Sequence, residues 1–317
     1  MEKDGRNRSR AAAIAAAALL IGVLGPGPVA AHAADAAERR SVVARAAAEG
    51  MRGTYTMPDF VAVSEFFDGG GPVAESLADG TGRATSFSAL PWPGENAVTA
   101  PGALSVVAGR SVPLAYPFYV SADYPTTPTA KVADPTGTYA LSAAVERGKA
   151  EGRGAFGGGG SGSVAETSVV LDDGGGVTRV VARSTDAALS AGDGVLTIAR
   201  ITSRSETTLG PADTVPITRT VLMVEGARVA GQPVTIGPDG VHAASGAAPL
   251  PFGQGDASLN QLLAQAGISV GTMSAGGPGR ADTLVITSVH PVPGAGTGTL
   301  VQRFGGAWTE IVIGSDR

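Results

Sequence analysis

The chain reads as an all-β protein, built mainly of antiparallel sheets with long hairpin strands and one short helix. Three observations predict this class. Gly, Pro, Ala, Val, Thr and Ser dominate, while Lys and aromatics are scarce; that is a composition of strands and turns rather than of helix bundles. From Val164 onward, β-branched runs alternate with Gly- and Asp-rich breaks of hairpin length. One segment alone carries convincing helical periodicity.

Residues 1–33 have the three parts of a secretory signal. Lys3, Arg6, Arg8 and Arg10 make a basic start, residues 11–24 are apolar, and Ala31-His32-Ala33 is a small-residue exit. An apolar run of 14 residues is short of the roughly 20 needed to span a bilayer. No Arg-Arg pair precedes that run, which points to the general secretory route. No apolar tail follows at the other end, and without cysteine there is neither a lipid-anchored Cys nor a disulfide. The expectation is a secreted protein, extracellular or held at the envelope, with no transmembrane anchor after signal cleavage. Loss of the signal leaves 19 basic and 26 acidic residues, a net charge of −7 in place of −5. Lys131 and Lys149 are then the only lysines. No basic cluster survives to meet phosphates, so nucleic acid is excluded as a partner.

Residues 34–50 are Ala- and charge-rich and are expected to be a flexible lead-in. A Pro- and aromatic-rich β region is expected over 51–156. Within it, 54–56 and 60–67 read as strands, the second ended by Asp68-Gly69-Gly70-Gly71-Pro72. Segments around Pro91-Trp92-Pro93, Tyr116-Pro117 and Tyr124-Pro125 read as loops or edges, and 137–146 alternates like a strand. Residues 157–163 are a Gly/Ser stretch, readable as a linker or as a hairpin tip. The region 164–317 then carries long strands at 164–171, 177–186, 195–209 and 217–234, a meander with one wet face. Along 195–209 one face is assigned Leu196, Ile198, Arg200, Thr202 and Arg204, the other Val195, Ala199 and Ile201. The two regions also fit a single domain. Leu259, Leu262, Leu263 and Ala266 form the helical stripe over 259–266, with Ser258 and Gln261 as a capping box and Gly267 as terminator. Strands return at 284–289 and 300–313.

Motifs that resemble catalytic signatures dissolve in context. Gly267-Ile268-Ser269-Val270-Gly271 matches a nucleophile elbow as a string, but helix precedes Ser269 and strand follows, the reverse of what the elbow needs. His242 and His290 follow a turn and end a strand, as structural polar residues do. Gly157, Gly159 and Gly162 have the dinucleotide spacing without a βαβ unit. Asp172-Asp173-Gly174 and Asp193-Gly194 lack calcium-loop spacing. No metal site and no cofactor are predicted. Arg179, Arg183, Arg200, Arg204 and Arg219, with Glu166, Glu206 and Glu225, read as ion pairs on a solvated face.

Aromatic residues are unevenly placed: twelve of fifteen lie between Tyr55 and Phe156, and none between Gly157 and Pro251. Trp92, Tyr116, Tyr119 and Tyr124, set among Pro and acidic residues, are the candidate binding residues, because aromatic faces flanked by polar groups stack on sugars. A compact core beneath irregular loops is the other reading of the same residues.

The stretch 226–242, with Gly226, Gly231, Pro233, Gly237, Pro238, Gly240 and His242, resembles segments of uncharacterised exported β-rich proteins of high-GC Gram-positive bacteria. Residues 90–95, 201–205 and 259–270 are similar to that group as well. The resemblance implies export and a β fold, and carries no catalytic residues with it; some of the group have a C-terminal anchor that is lacking here. The expected function is that of a non-enzymatic structural or interaction protein near the envelope, its partner an envelope polysaccharide or a surface protein. The alternatives are a glycan-binding module and a secreted hydrolase.

Overall fold

Two antiparallel sheets pack face to face in a computed structural model that describes residues 41–58, 65–90, 92–93, 109, 118–158, 161–171, 176–244, 256–294 and 296–314. The predicted signal at 1–33 lies outside these residues. The first sheet has the order β16 (Ile268–Met273), β17 (Thr283–Val292), β18 (Gly296–Gly314), β1 (Ser41–Thr56), β2 (Glu65–Asp79), β3 (Ala84–Leu90), β5 (Phe118–Asp123). The two-residue β4 (Trp92–Pro93) pairs beside β2. In the second sheet β15 (Gly240–Ala243), β14 (Gln232–Gly237) and β13 (Arg228–Val229) lead to β11 (Leu196–Leu209). Then come β10 (Thr178–Ala191), β9 (Gly162–Val170), β8 (Lys149–Phe156), β7 (Tyr139–Glu146) and β6 (Thr129–Ala133), while β12 (Ile217–Glu225) pairs on β11. The all-β class with one short helix is what the composition predicts.

Several elements differ from the sequence reading. Residues 41–50 are no lead-in: they open β1, which pairs with β18 and β2 on its two sides. Ala44, Ala46 and Ala48 are buried while Arg45 is exposed, so a period-2 strand signal lay within the Ala-rich composition. β2 does not stop at the glycines but runs through them to Asp79; residues 60–64 lie outside the described residues. The run 217–234 is three strands, broken at Gly226 and at the Ala230-Gly231 turn. The stretch 157–163 is a hairpin tip, since β8 and β9 pair up to Phe156 and Ser163. All described residues fall in one compact unit, Arg39–Arg317.

The helix α1 spans Asp256–Gln265, three residues earlier than predicted, with Leu259 and Leu263 buried. Asp256 rather than Ser258 meets the backbone at its start, its carboxylate accepting from Ala243 N at 2.7 Å. Asn260 holds β15 from the helix side, accepting from Val241 N and donating to Val241 O at 3.2 and 3.0 Å.

The interior has two parts. One cluster is dominated by alanine, including Ala44, Ala74, Ala78, Ala150, Ala165 and Ala182. The other is built of Leu196, Ile198, Leu259, Leu263, Leu284 and Phe304. At the boundary the strand alternation changes phase. In β18, Phe304 and Ala307 are both buried, with Gly305 at φ +92° between them. In β1, Ala48 points into the alanine cluster and Met51 against the other, with Gly50 between. Gly50 falls opposite Gly305, between the pairs Glu49–Gly306 and Met51–Phe304. A crease therefore crosses the first sheet. The second sheet changes phase too, near Ala188 (φ 56°): Leu196, Ile198, Ile201, Ser203 and Ser205 face inward. That corrects the predicted faces of β11, where Arg200 and Arg204 are exposed and Ile198 and Ile201 share the interior.

Candidate functional site

The crease builds a cleft on the outer face of the first sheet. Because β1 alternates, Arg45, Ala47 and Glu49 face away from the core. Antiparallel pairing brings Val73 opposite Glu49 and Glu75 opposite Ala47 on β2. On β18, Trp308 lies opposite Ala47 and Gly306 opposite Glu49. Beyond the crease the changed phase returns Arg52 and Arg303, a directly opposed pair, to the same outer side.

A second wall comes from the chain between β16 and β17. Residues 279–281 run along β18, with Ala281 N donating to Ala307 O and Thr309 N to Gly279 O, both at 2.9 Å. This places the Arg280 guanidinium 5.6 Å from the centre of the Trp308 ring, within cation–π range. The enclosed volume is about 480 Å³, lined by Glu49, Arg52, Glu75, Arg280, Arg303 and Trp308 among others. A second hollow of about 460 Å³ adjoins it toward β3 and β5 and includes Phe87 and Ser121. Both hollows are lined by Glu75 and Trp308. Each falls in the size range of small-ligand pockets.

Electrostatics in the cleft favour neutral carboxyls. Glu49 is pushed above the usual carboxylate range by burial, against the Arg52 guanidinium, which lies 3.4 Å away and pulls it down. Glu75 is also raised, by burial first and then by the negative charge of Glu49. Arg52 is shared: its second nitrogen donates to Asp68 at 2.8 Å. Glu49 depends on glycine neighbours, since a side chain at Gly70 would collide with its carboxylate. The arrangement therefore offers two carboxyls able to accept or donate, three guanidiniums and one indole face along a continuous groove.

The four residues singled out from sequence are not brought together. Tyr119 is 60% exposed and lies opposite Ala89, on the same outer face as Phe87 and Ser121. Tyr124 packs against the alanine cluster. Trp92 pairs through its backbone with Gly70, beside the floor under Glu49; its side chain and Tyr116 lie outside the described residues. Sequence reasoning missed Glu49, Glu75, Arg280 and Trp308, which are far apart in the chain. The available signal was the alternation of residues 44–49.

The other candidates have structural settings. His290 stacks on Tyr55 at 5.6 Å, with the Tyr55 hydroxyl 3.1 Å from Nε2. His242 is held between Asp239 and Asp256. Ser269 lies on β16 after α1, in the helix-then-strand order expected. Arg179 and Arg204 both pair with Glu206, and Arg153 rather than Arg183 pairs with Glu166. Among the described residues, no group of three His, Cys, Asp or Glu side chains is placed to hold a metal, and no helix is long and apolar enough to cross a membrane. In comparisons with known proteins, no family model matches the chain and no curated protein matches it, so the chemistry of this site is argued from its own geometry.

Proposed function

We propose that this protein is exported and works at or near the cell envelope as a non-enzymatic interaction module, with the Glu49–Trp308 cleft as a glycan-binding groove. The observation that carries the reading is the sharing of Glu75 and Trp308 by two adjoining hollows. A sugar ring has an apolar C–H face that packs on indole and hydroxyls that pair with carboxyls and guanidiniums. Two such hollows around one aromatic residue suit successive units of a chain. Export is supported by the basic, apolar and small-residue order of residues 1–33.

The test is binding of residues 34–317 to purified envelope polysaccharide, followed by calorimetry and cosedimentation. Trp308→Ala is expected to weaken binding about tenfold or more, the order of a lost stacking contact, and Trp92→Ala to weaken it less. Binding that survives Trp308→Ala unchanged, or no binding to any envelope fraction, would sink the proposal.

A second reading rests on the neighbouring carboxyls Glu49 and Glu75, both held toward the protonated form. Acid–base hydrolysis of a glycosidic bond uses such a pair. Release of reducing ends from the bound polysaccharide, abolished by Glu75→Gln, would replace the non-enzymatic reading.

A further inference from the structure

The edge of the second sheet carries a self-complementary strand. β12 pairs with β11 from Ile217 to Glu225, and β11 is its only strand partner among the described residues. Its opposite edge therefore presents unpaired backbone donors and acceptors over nine residues. Proteins usually blunt such an edge with Lys, Pro or a bulge. From 217 to 225 β12 has neither Lys nor Pro, and its pairing to β11 is unbroken. Its outward side chains are instead apolar in the middle: Val221 is 52% exposed and Met223 48%. Arg219 and Glu225 flank them.

We infer that β12 pairs antiparallel with β12 of a second copy of this chain, about a two-fold axis at Leu222. Only registers that match like faces are allowed, because a one-residue slip sends every side chain to the other side. Centring the pairing on Val221 sets Arg219 against Met223 and Ile217 against Glu225, leaving both charges facing apolar groups. Centring it on Leu222 sets Arg219 against Glu225 of the second copy, twice, and Val221 against Met223, twice. The match extends inward, because Arg219 lies opposite Glu206 and Glu225 opposite Arg200 on β11. Across the four strands the row then reads Glu206, Arg219, Glu225, Arg200, alternating in sign from one copy to the other. An isologous contact of this kind closes on itself and leaves no strand edge at the junction.

Sedimentation of residues 34–317 at low salt tests the pairing. Wild type is expected to be a dimer at micromolar concentration. Arg219→Glu and Glu225→Arg each place like charges at both ends of the interface. Each alone is expected to raise the dimer dissociation constant about tenfold or more, from two lost pairs and two repulsions. Mixed in equal amounts, the two variants restore opposite charges at both positions and are expected to recover the dimer as a heterodimer. A monomeric wild type at about 100 μM, an affinity too weak to matter for a specific pair, overturns the inference; so does a wild-type dimer that neither variant weakens. Should either variant fail to fold by circular dichroism, Leu222→Cys decides. The chain has no other cysteine, and directly opposed Cα atoms in a sheet lie at disulfide distance. Oxidation must then give a reducible covalent dimer, and its absence refutes pairing at Leu222.

Discussion

The two halves of the interior solve the same packing problem with different side chains. In the alanine-rich half the layers must lie close, because methyl groups cannot fill the usual gap between sheets of about 10 Å. The contacts agree: a side chain on Gly154 would come within 2.8 Å of Pro72 and 3.1 Å of the Val73 carbonyl across the interface. Hydroxyls stitch the layers where they meet, Ser76 to Thr167 at 2.8 Å and Ser86 to the Glu151 carbonyl at 2.9 Å. In the other half Leu, Ile and Phe take up the space, and α1 lies against β15 and β16, the terminal strands of the two sheets. A close-set half gains from contact and from hydrogen bonds made between layers. A wide half gains from apolar area. The crease at Gly50 and Gly305 is where one arrangement gives way to the other, and the cleft lies on its outer side.

If that contrast is right, truncation should hurt the wide half most and enlargement the close half. Phe304→Ala, at 1% exposure, is expected to cost about 3–5 kcal/mol, since it removes a buried ring and leaves a cavity. The midpoint of urea unfolding checks it, and a loss under 1 kcal/mol would mean that the wide half collapses readily. In the close half the informative change is Ala182→Leu. Ala182 is fully buried, and added methylenes there must push two sheets apart, at about 1–3 kcal/mol. A neutral result would show that the close-set half has slack.

Behind the crease, on the inner side, Asp186 sharpens the comparison. It is 2% exposed, beside the Ser163 and Ser184 hydroxyls, and burial pushes its pKa up to about 6. Folding therefore favours its protonated form. The stability linked to that proton is fully present below the ordinary Asp pKa of about 3.9. It is lost as pH rises toward about 6 and stays lost above. The loss is on the order of 3 kcal/mol from the size of the shift. Thermal unfolding from pH 4 to 8 should show wild type weakening across this window and Asp186→Asn remaining flat by comparison. Parallel curves would show that Asp186 ionises in the fold as it does in water.

Much of this fold was legible because strands announce themselves through β-branched residues and turns. The runs from Val164 to Leu209 became β9, β10 and β11 almost unchanged. What stayed hidden was written in small residues. Ala44, Ala46 and Ala48 alternate as a strand should, but alanine is a strong helix former and carries little β preference. The glycines of β2 read as a stop because their conformational freedom usually marks turns. Here they leave room, Gly70 for the Glu49 carboxylate. The phase changes at Gly305 and Ala188 depend on pairing between strands, which no single run reveals. The cleft was hidden for the same reason: Glu49, Glu75 and Trp308 meet only through the registers of three strands.

The smallest expected effect concerns how the wide half is closed at its end. His242 Nδ1 lies 3.0 Å from Asp256 and Nε2 lies 2.9 Å from Asp239. Both ring nitrogens can donate only when the imidazole is protonated. Its pKa is raised accordingly, by the hydrogen bond to Asp256 first and then by that to Asp239. Asp256 is lowered, by the Ala243 amide and by His242, and stays ionised. The stabilisation is thus fully present below the ordinary histidine pKa of about 6.5 and fades as pH rises through the higher folded value. Since these groups are exposed, the change should be local, loosening α1 from β15 without unfolding the sheets. Hydrogen exchange at Ala243 and through α1 should accelerate above that transition beyond the intrinsic rise with pH. His242→Gln should remove the transition while leaving exchange in the alanine-rich half untouched. Equal acceleration in both halves would mean that the helix is no separate closure, and that the two cores open as one.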